Sequence, residues 1–288
     1  MNEAIRQLLA KYEIKSLGDS IRALREVMQE IALLGLWRSK FFEKAAFYGG
    51  TALRVLYGLD RYSEDLDFSL LKADKDFNLA FYNNALKNEL RSYGFEVLIE
   101  EREKSAKTAV QSTFLKANTR KQMLAIEFEK GLIQQIPKNQ QIKIKLEIDT
   151  DPPPGFLTST KYLLLPIPFA VRAYSLPDLF AGKMHAVLCR EWKSRIKGRD
   201  WYDFVWFAAH HPEMHLSHLE QRMRQTGHWK GSINLSTEEF QKKLTQRINQ
   251  INIDQARKEV ETFVKDPESI VLWSKDFFLE VASRIKIV

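Results

Sequence analysis

A chain of 288 residues with 44% hydrophobic and 11% aromatic content can bury one large core or two modest ones, so disorder is not the default expectation. Cys189 is the single cysteine, so an internal disulfide and a multi-cysteine zinc site are excluded. The formal charge of +7 favours a polyanionic partner such as RNA, although many ordinary enzymes are equally basic.

Residues 1–15 mix both charge signs with apolar residues at helical spacing, unlike the basic stretch and apolar run of a secretory signal. The most apolar later stretches, 162–171 and 204–209, are too short to span a bilayer. A soluble, cytoplasmic protein without a membrane partner is expected.

Ile21, Leu24, Val27, Met28, Ile31 and Leu34 share one face of a predicted packing helix over 21–34, with Asp19 or Ser20 available as its cap. A short strand over 45–48 breaks at Gly49 and Gly50 and continues into a helix, Thr51 to Tyr57, closed by Gly58. A second strand covers 65–70 and a helix covers 77–92. Further extended stretches are expected at 95–101, 109–116 and 123–130. In the strand 142–149, strict alternation places Ile142, Ile144, Leu146 and Ile148 on one face and Lys143, Lys145, Glu147 and Asp149 on the other.

The run Asp151-Pro-Pro-Pro-Gly155 cannot continue a ladder, which sets a domain boundary between 1–155 and 156–288. Beyond it, 161–173 reads as one or two strands interrupted by prolines. The remainder is mostly helical, over 177–190, 198–210, 217–226, 237–248, 254–264 and 268–284, with Pro177 suited to a first turn and Ser236-x-x-Glu239 a capping-box pattern. The predicted class is therefore α/β (α+β): a mixed α/β front half with a helical back half.

Two residues apart on one strand, Asp65 and Asp67 project their carboxylates from the same face, an arrangement that a hard divalent cation relieves. About fifteen residues earlier in the chain, Gly49 and Gly50 let the backbone approach an anion, the following helix presents unpaired N–H groups, and Thr51 adds a hydroxyl. Each motif alone has an ordinary reading, a solvated surface pair and a tight turn. Their coupling makes neighbouring sites for magnesium and a triphosphate. Glu147 lies on the charged face of a strand that can pair beside the acids and supplies a third carboxylate; Asp149 shares that face as its rival, and both can instead pair with Lys143 and Lys145. Arg54, one turn after Thr51, either points at phosphates or braces an aspartate. Arg61 and Ser63 flank the entry to the acidic strand.

The run Phe47-Tyr-Gly-Gly-Thr-Ala-Leu-Arg54, then Tyr57-Gly58, then Arg61-Tyr-Ser-Glu-Asp-Leu-Asp-Phe68, resembles the AbiEii/AbiGii family of nucleotidyltransferase toxins of type IV toxin–antitoxin and abortive-infection systems. A second block resembles the family's lysine motif and Arg-Asp-x-x-Asp motif: Asp178-Leu-Phe-Ala-Gly-Lys183, then Lys197-Gly-Arg-Asp200-Trp-Tyr-Asp203. The resemblance covers roughly 20–210. It implies a DNA-polymerase-β-like nucleotidyltransferase core with a helical domain that completes the active site, a phosphate turn at Gly49, Gly50 and Thr51, and a metal pair at Asp65 and Asp67. It also implies that Glu147 stands where the family has an acid on a later strand, that Lys183 reaches the triphosphate and that Asp200 supports the nucleotide site. Asp203, on the face of Asp200, is left with Arg199, Arg195 or Lys197 as partners. An RNA acceptor, tRNA in particular, and a cognate antitoxin are implied by resemblance as well.

Lys193, Arg195, Lys197 and Arg199, interleaved with Trp192 and Trp201, suit either a solvated loop or contact with RNA. His210, His211, His215 and His218 read as a helix end and loop rather than a metal site. The expected reaction moves a nucleoside monophosphate from a nucleoside triphosphate to a hydroxyl, assisted by two magnesium ions at Asp65, Asp67 and Glu147. Its competitors are a kinase-like transfer of the terminal phosphoryl group and a catalytically silent RNA- or partner-binding module.

Overall fold

Alternating apolar and polar residues give a strand one face for a core and one for solvent, and the central strands follow this pattern residue by residue. The computed structural model describes residues 3–102, 109–125, 134, 136–191 and 196–288. Two compact units emerge: Met1–Leu56, Glu64–Pro152 and Thr160–Ala173 form the first, and Tyr57–Ser63, Pro153–Ser159 and Tyr174–Val288 the second. The proline run is thus not a single dividing line, because residues 160–173 return to the sheet of the first unit.

The first unit begins with α1 (Glu3–Leu9) and α2 (Leu17–Arg38). The cap of α2 is Ser16, whose hydroxyl accepts the N–H of Asp19 at 3.1 Å, not Asp19 or Ser20, because the helix starts one turn before its apolar stripe. Then follow β1 (Ala45–Tyr48), α3 (Gly49–Tyr57), β2 (Leu66–Leu70), α4 (Asn83–Ser92), β3 (Leu98–Arg102), β4 (Val110–Asn118), α5 (Thr119–Ala125), β5 (Gln141–Asp149), β6 (Thr158–Leu163) and β7 (Phe169–Tyr174). Residues 79–82 form a 3-10 turn capped by Asn78 instead of the first turn of the expected helix. Of the strand expected at 123–130, residues 123–125 close α5 and the rest lies outside the described residues. A side-chain cap at its start, Asn118 accepting the N–H of Lys121 at 3.0 Å, favours helix there.

The seven strands form a mixed sheet in the order β3-β4-β5-β2-β1-β7-β6. β2 is central, antiparallel to β1 and parallel to β5. Leu66 pairs with Leu146 and Phe68 with Ile148, so their side chains form one apolar layer with Ile142 and Ile144, all buried in one core with Leu24, Ile31 and Leu34 of α2 and Leu86 and Leu90 of α4. Burying this face against helices fixes the strand register, since a one-residue slip would expose the whole apolar set.

The second unit is mainly helical: α6 (Leu176–Cys189), α7 (Gly198–His210), α8 (Leu216–Gln225), α9 (Thr237–Gln250), α10 (Ile253–Val260) and α11 (Lys275–Ala282), with a parallel pair of β8 (Glu213–Met214) and β9 (Lys286–Ile287). Ser236 caps α9 by accepting the N–H of Glu239 at 3.2 Å, and Pro177 stands in the first turn of α6, as the sequence patterns require. The helix expected over 268–284 is divided into a 3-10 turn, Pro267–Ile270, and α11, whose own cap is Ser274. The packing is aromatic: Phe180 stacks on Phe207 at 4.6 Å and Trp201 meets Phe278 at 4.9 Å. Among the described residues no helix is long and apolar enough to cross a membrane.

Gly198, the first residue of α7, permits the close approach of α10. A Cβ added there would overlap the carbonyl oxygen of Ala256 and lie 2.8 Å from its carbon. Since backbone cannot yield as a flexible side chain can, Gly198→Ala is expected to destabilise the protein by about 1–3 kcal/mol, measured by urea unfolding.

Candidate active site

The face of the central sheet opposite the apolar layer carries the acids. On β2 and its entry, Asp65 and Asp67 are half-buried, alternating with buried Leu66 and Phe68. The parallel ladder puts Glu147 directly beside Asp67, while Asp149 is one pair further along, beside Ser69. On the other side of β2, Tyr48 stands opposite Asp67. Ser112 of β4 stands opposite Glu147. Tyr48 and Ser112 were not legible as site residues, because only the register brings them alongside the acids. Lys145 contacts Glu147 at 2.5 Å and so supplies a local counter-charge on the same strand. This is the ordinary pairing that the strand's charged face allowed.

The turn between β1 and α3 fits over Asp67. Gly49 has φ +83°, and a Cβ there would overlap Asp67 Oδ2 and lie 3.0 Å from its Cβ. Both conformation and space therefore call for glycine. Gly50 is buried in the first turn of α3, where helical N–H groups lack intrahelical partners. Thr51 differs from its expected role: it is fully buried, and its hydroxyl donates to the backbone carbonyl of Asp65. It therefore ties the start of α3 to the start of β2 instead of offering that proton to a phosphate. Arg54 is held by a glutamate rather than an aspartate, with Nε donating to Glu26 Oε1 at 2.5 Å and Nη2 to Glu26 Oε2 at 3.0 Å. Both side chains are largely buried, and Tyr12, whose pKa is raised by burial and then by Glu26, belongs to the same network. Glu26, on the packing helix, carried no sequence signal for this.

In the second unit the spacing of the lysine and Arg-Asp-x-x-Asp blocks has a direct physical basis. Asp203 is completely buried and receives Arg61 Nε at 2.6 Å, Arg61 Nη2 at 2.7 Å and Lys183 Nζ at 2.7 Å. Its partners are thus Arg61 and Lys183, not Arg199, since both cations are brought to the buried side of α7. Asp200 is held by Arg190 Nε at 2.9 Å. Arg199 contacts Glu259 at 3.5 Å and lies over the ring of Phe263 at 4.0 Å, so its guanidinium serves internal packing. Lys197 occupies the N-cap position of α7 without a side-chain cap, and burial, then Arg190, lower its pKa. Lys193 and Arg195 lie outside the described residues. Ser63 ends the Tyr57–Ser63 segment of the second unit. There the backbone N–H of Tyr62 donates to the carbonyl of Phe263 at 2.7 Å. Of the histidines, His215 Nδ1 meets Asp178 Oδ1 at 2.9 Å, and His218 is buried with its pKa pushed down to about 4 by burial and then Arg222.

Comparison with known proteins adds a family and a fold. Residues 31–281 match the family model described as nucleotidyl transferase AbiEii toxin, type IV TA system. No curated protein matches the chain. Among solved structures, JHP933 from Helicobacter pylori is similar over 90% of this chain and 88% of its own, with a TM-score of 0.52 and 17% identity. An H. pylori chain described as a candidate nucleotidyltransferase is similar over 90% of this chain and 91% of its own, with a TM-score of 0.50 and 18% identity. At these identities the two structures speak for the fold alone.

Two variants test this geometry. Gly49→Ala forces an L-residue into the left-handed region, at about 1–2 kcal/mol, and adds the collision with Asp67; a stability loss of at least about that size is expected in urea unfolding. For Asp203, burial opposes ionisation, but Arg61 and Lys183 together outweigh it and hold the carboxyl below its ordinary range. A depressed native pKa stabilises the fold above the unfolded-state value and loses that contribution as pH falls through the native one. Asp203→Asn should therefore cost roughly 3–5 kcal/mol near neutral pH, with a gap to the parent protein that narrows in acid below about pH 4. Paired denaturation curves at about pH 7 and about pH 3 measure both effects.

Proposed function

The chain belongs to the AbiEii nucleotidyl transferase toxin family of type IV toxin–antitoxin systems, and from that premise we propose that it transfers a nucleoside monophosphate from a nucleoside triphosphate to a hydroxyl of RNA, tRNA in particular, at the acidic face formed by Asp65, Asp67 and Glu147. It is a nucleotidyltransferase, and its family implies a nucleoside triphosphate substrate and an antitoxin partner. The observation that carries the assignment of the site is the register of β2 and β5, which sets Glu147 beside Asp67 directly under the glycine turn.

The donor set suits magnesium, since three carboxylates offer hard oxygens on one face of the sheet. Asp65, Asp67 and Glu147 would hold two such ions. When bound, they supply charge neutralisation at the α-phosphoryl group and acidify the acceptor hydroxyl. The chain's own contributions are positional and acid–base. The N–H groups of Gly49, Gly50 and the following turn bind phosphate oxygens where the helix dipole favours anions. Thr51 and Arg54 support that turn from beneath through Asp65 and Glu26. The acceptor oxygen forms a bond to the α-phosphorus, the bond to the bridging oxygen breaks, and pyrophosphate departs. Glu147 takes the acceptor's proton. Lys183 and Asp200 enter this reading through the family pattern, with Lys183 as a triphosphate ligand. An RNA acceptor is supported by the charge of +7 and by the family resemblance.

The purified protein, incubated with total RNA and each triphosphate labelled at the α or γ position, should transfer α label alone and stop when a chelator is added. Asp67→Asn and Glu147→Gln should each lower the rate by roughly 10²-fold or more, and Asp149→Asn should have a far smaller effect. Retention of γ label only would establish a kinase-like transfer instead. Equal loss in Asp149→Asn and Glu147→Gln would overturn the choice of third carboxylate.

A further inference from the structure

His185 and Cys189 are four residues apart on α6 and therefore share a face. His228, in the turn that follows α8, approaches the same face, and one donor atom from each of the three side chains lies within 4.8 Å of the others. The two imidazole rings stand 6.2 Å apart and nearly perpendicular. Between them, the hydroxyl of Thr226 is 2.9 Å from His185 Nε2 and 2.9 Å from His228 Nδ1, while its own proton goes to the carbonyl of Arg222 at 2.9 Å. With its own proton on the Arg222 carbonyl, this hydroxyl can accept an N–H from each ring, and in that pair of tautomers each ring keeps a second, unprotonated nitrogen for a metal. The turn itself is fixed, since the backbone N–H groups of His228 and Trp229 both donate to the carbonyl of Met223, at 2.8 and 3.1 Å.

We propose that His185, Cys189 and His228 bind a thiophilic transition-metal ion, zinc being the reference case, with water as the fourth ligand. Two imidazoles and a thiolate match zinc, whereas magnesium prefers oxygen. The site is thus chemically distinct from the carboxylates of the first unit. Bond lengths of about 2.0–2.3 Å put tetrahedral donors roughly 3.3–3.8 Å apart, so the observed spread closes with a movement of about 1 Å. The backbone of the turn is held, but the His228 side chain is exposed, so the moving ligand is the one least confined by packing. A cavity of about 180 Å³ bordered by Cys189, Met223, His228 and Arg247 gives an ion and its water room to enter. Burial pushes the Cys189 thiol up to about 11 and Arg247 and Lys243 on the cavity wall offset this only in part, so the thiol gives up its proton as the metal binds. Binding would join α6, the helix that carries Lys183, to the turn after α8.

The test uses the full chain stripped of metal with a chelator and titrated with cobalt(II), a spectroscopic substitute for zinc. One equivalent should produce thiolate-to-cobalt charge-transfer absorption with four-coordinate visible bands, displaced by zinc and unaffected by magnesium. Cys189→Ser should lack the charge-transfer band, and His228→Ala, an exposed position whose circular dichroism should match the parent protein, should weaken binding at least tenfold. Zinc should raise the Tm of the parent protein and leave that of His228→Ala unchanged. A folded parent protein without saturable charge-transfer absorption, or the same band and affinity in Cys189→Ser, would overturn the site. None of these readouts depends on nucleotide transfer.

Discussion

The pairing of β2 with β5 governs the first unit. It sets Leu66 on Leu146 and Phe68 on Ile148 in the buried layer, and by the same register sets Asp67 beside Glu147 on the opposite face. The two faces are inseparable, because alternation in a strand leaves no way to shift the acids without also shifting the core. Hydrophobic burial, acting through the register, thereby offsets the repulsion of carboxylates gathered in one place. The glycine turn over Asp67 extends this constraint to the start of α3, where Gly49 avoids a collision and Thr51 fastens the helix to Asp65.

The second unit relies on a different principle. Its central polar feature is a completely buried carboxylate that gathers two cations, Arg61 and Lys183, from segments far apart in sequence. Removing any member leaves a buried charge without its full set of partners, so such a cluster constrains which residues can stand at these positions. Spacing such as Arg-Asp-x-x-Asp therefore has a structural component as well as any role toward nucleotide. Asp200 and Asp203 are one turn apart, yet they answer to different partners, Arg190 and Arg61.

Ligand chemistry divides along similar lines. Oxygen donors are concentrated on the sheet of the first unit, and the nitrogen and sulfur donors of His185, Cys189 and His228 on α6 and the turn after α8. Hard and soft ions are sorted by donor type before geometry acts. His185-x-x-x-Cys189 carries no metal signal on its own in the sequence, because its third donor is 39 positions further along the chain from Cys189.

By itself the sequence determined the elements and the candidate acids. The alternation of β5, the glycine break before α3, the capping residues of α9 and the Asp65-x-Asp67 pair are local patterns, and local patterns follow from periodicity and backbone sterics. It did not distinguish Glu147 from Asp149 as the neighbour of Asp67, since both lie on the same charged face and only the inter-strand register tells them apart. Nor did it foresee that Thr51 would turn to the Asp65 carbonyl, that Arg54 would meet Glu26, or that Asp203 would gather Arg61 and Lys183. Those outcomes belong to the tertiary structure, because a side chain's partner is set by what packing brings within about 3 Å of it, and that distance is independent of separation along the chain.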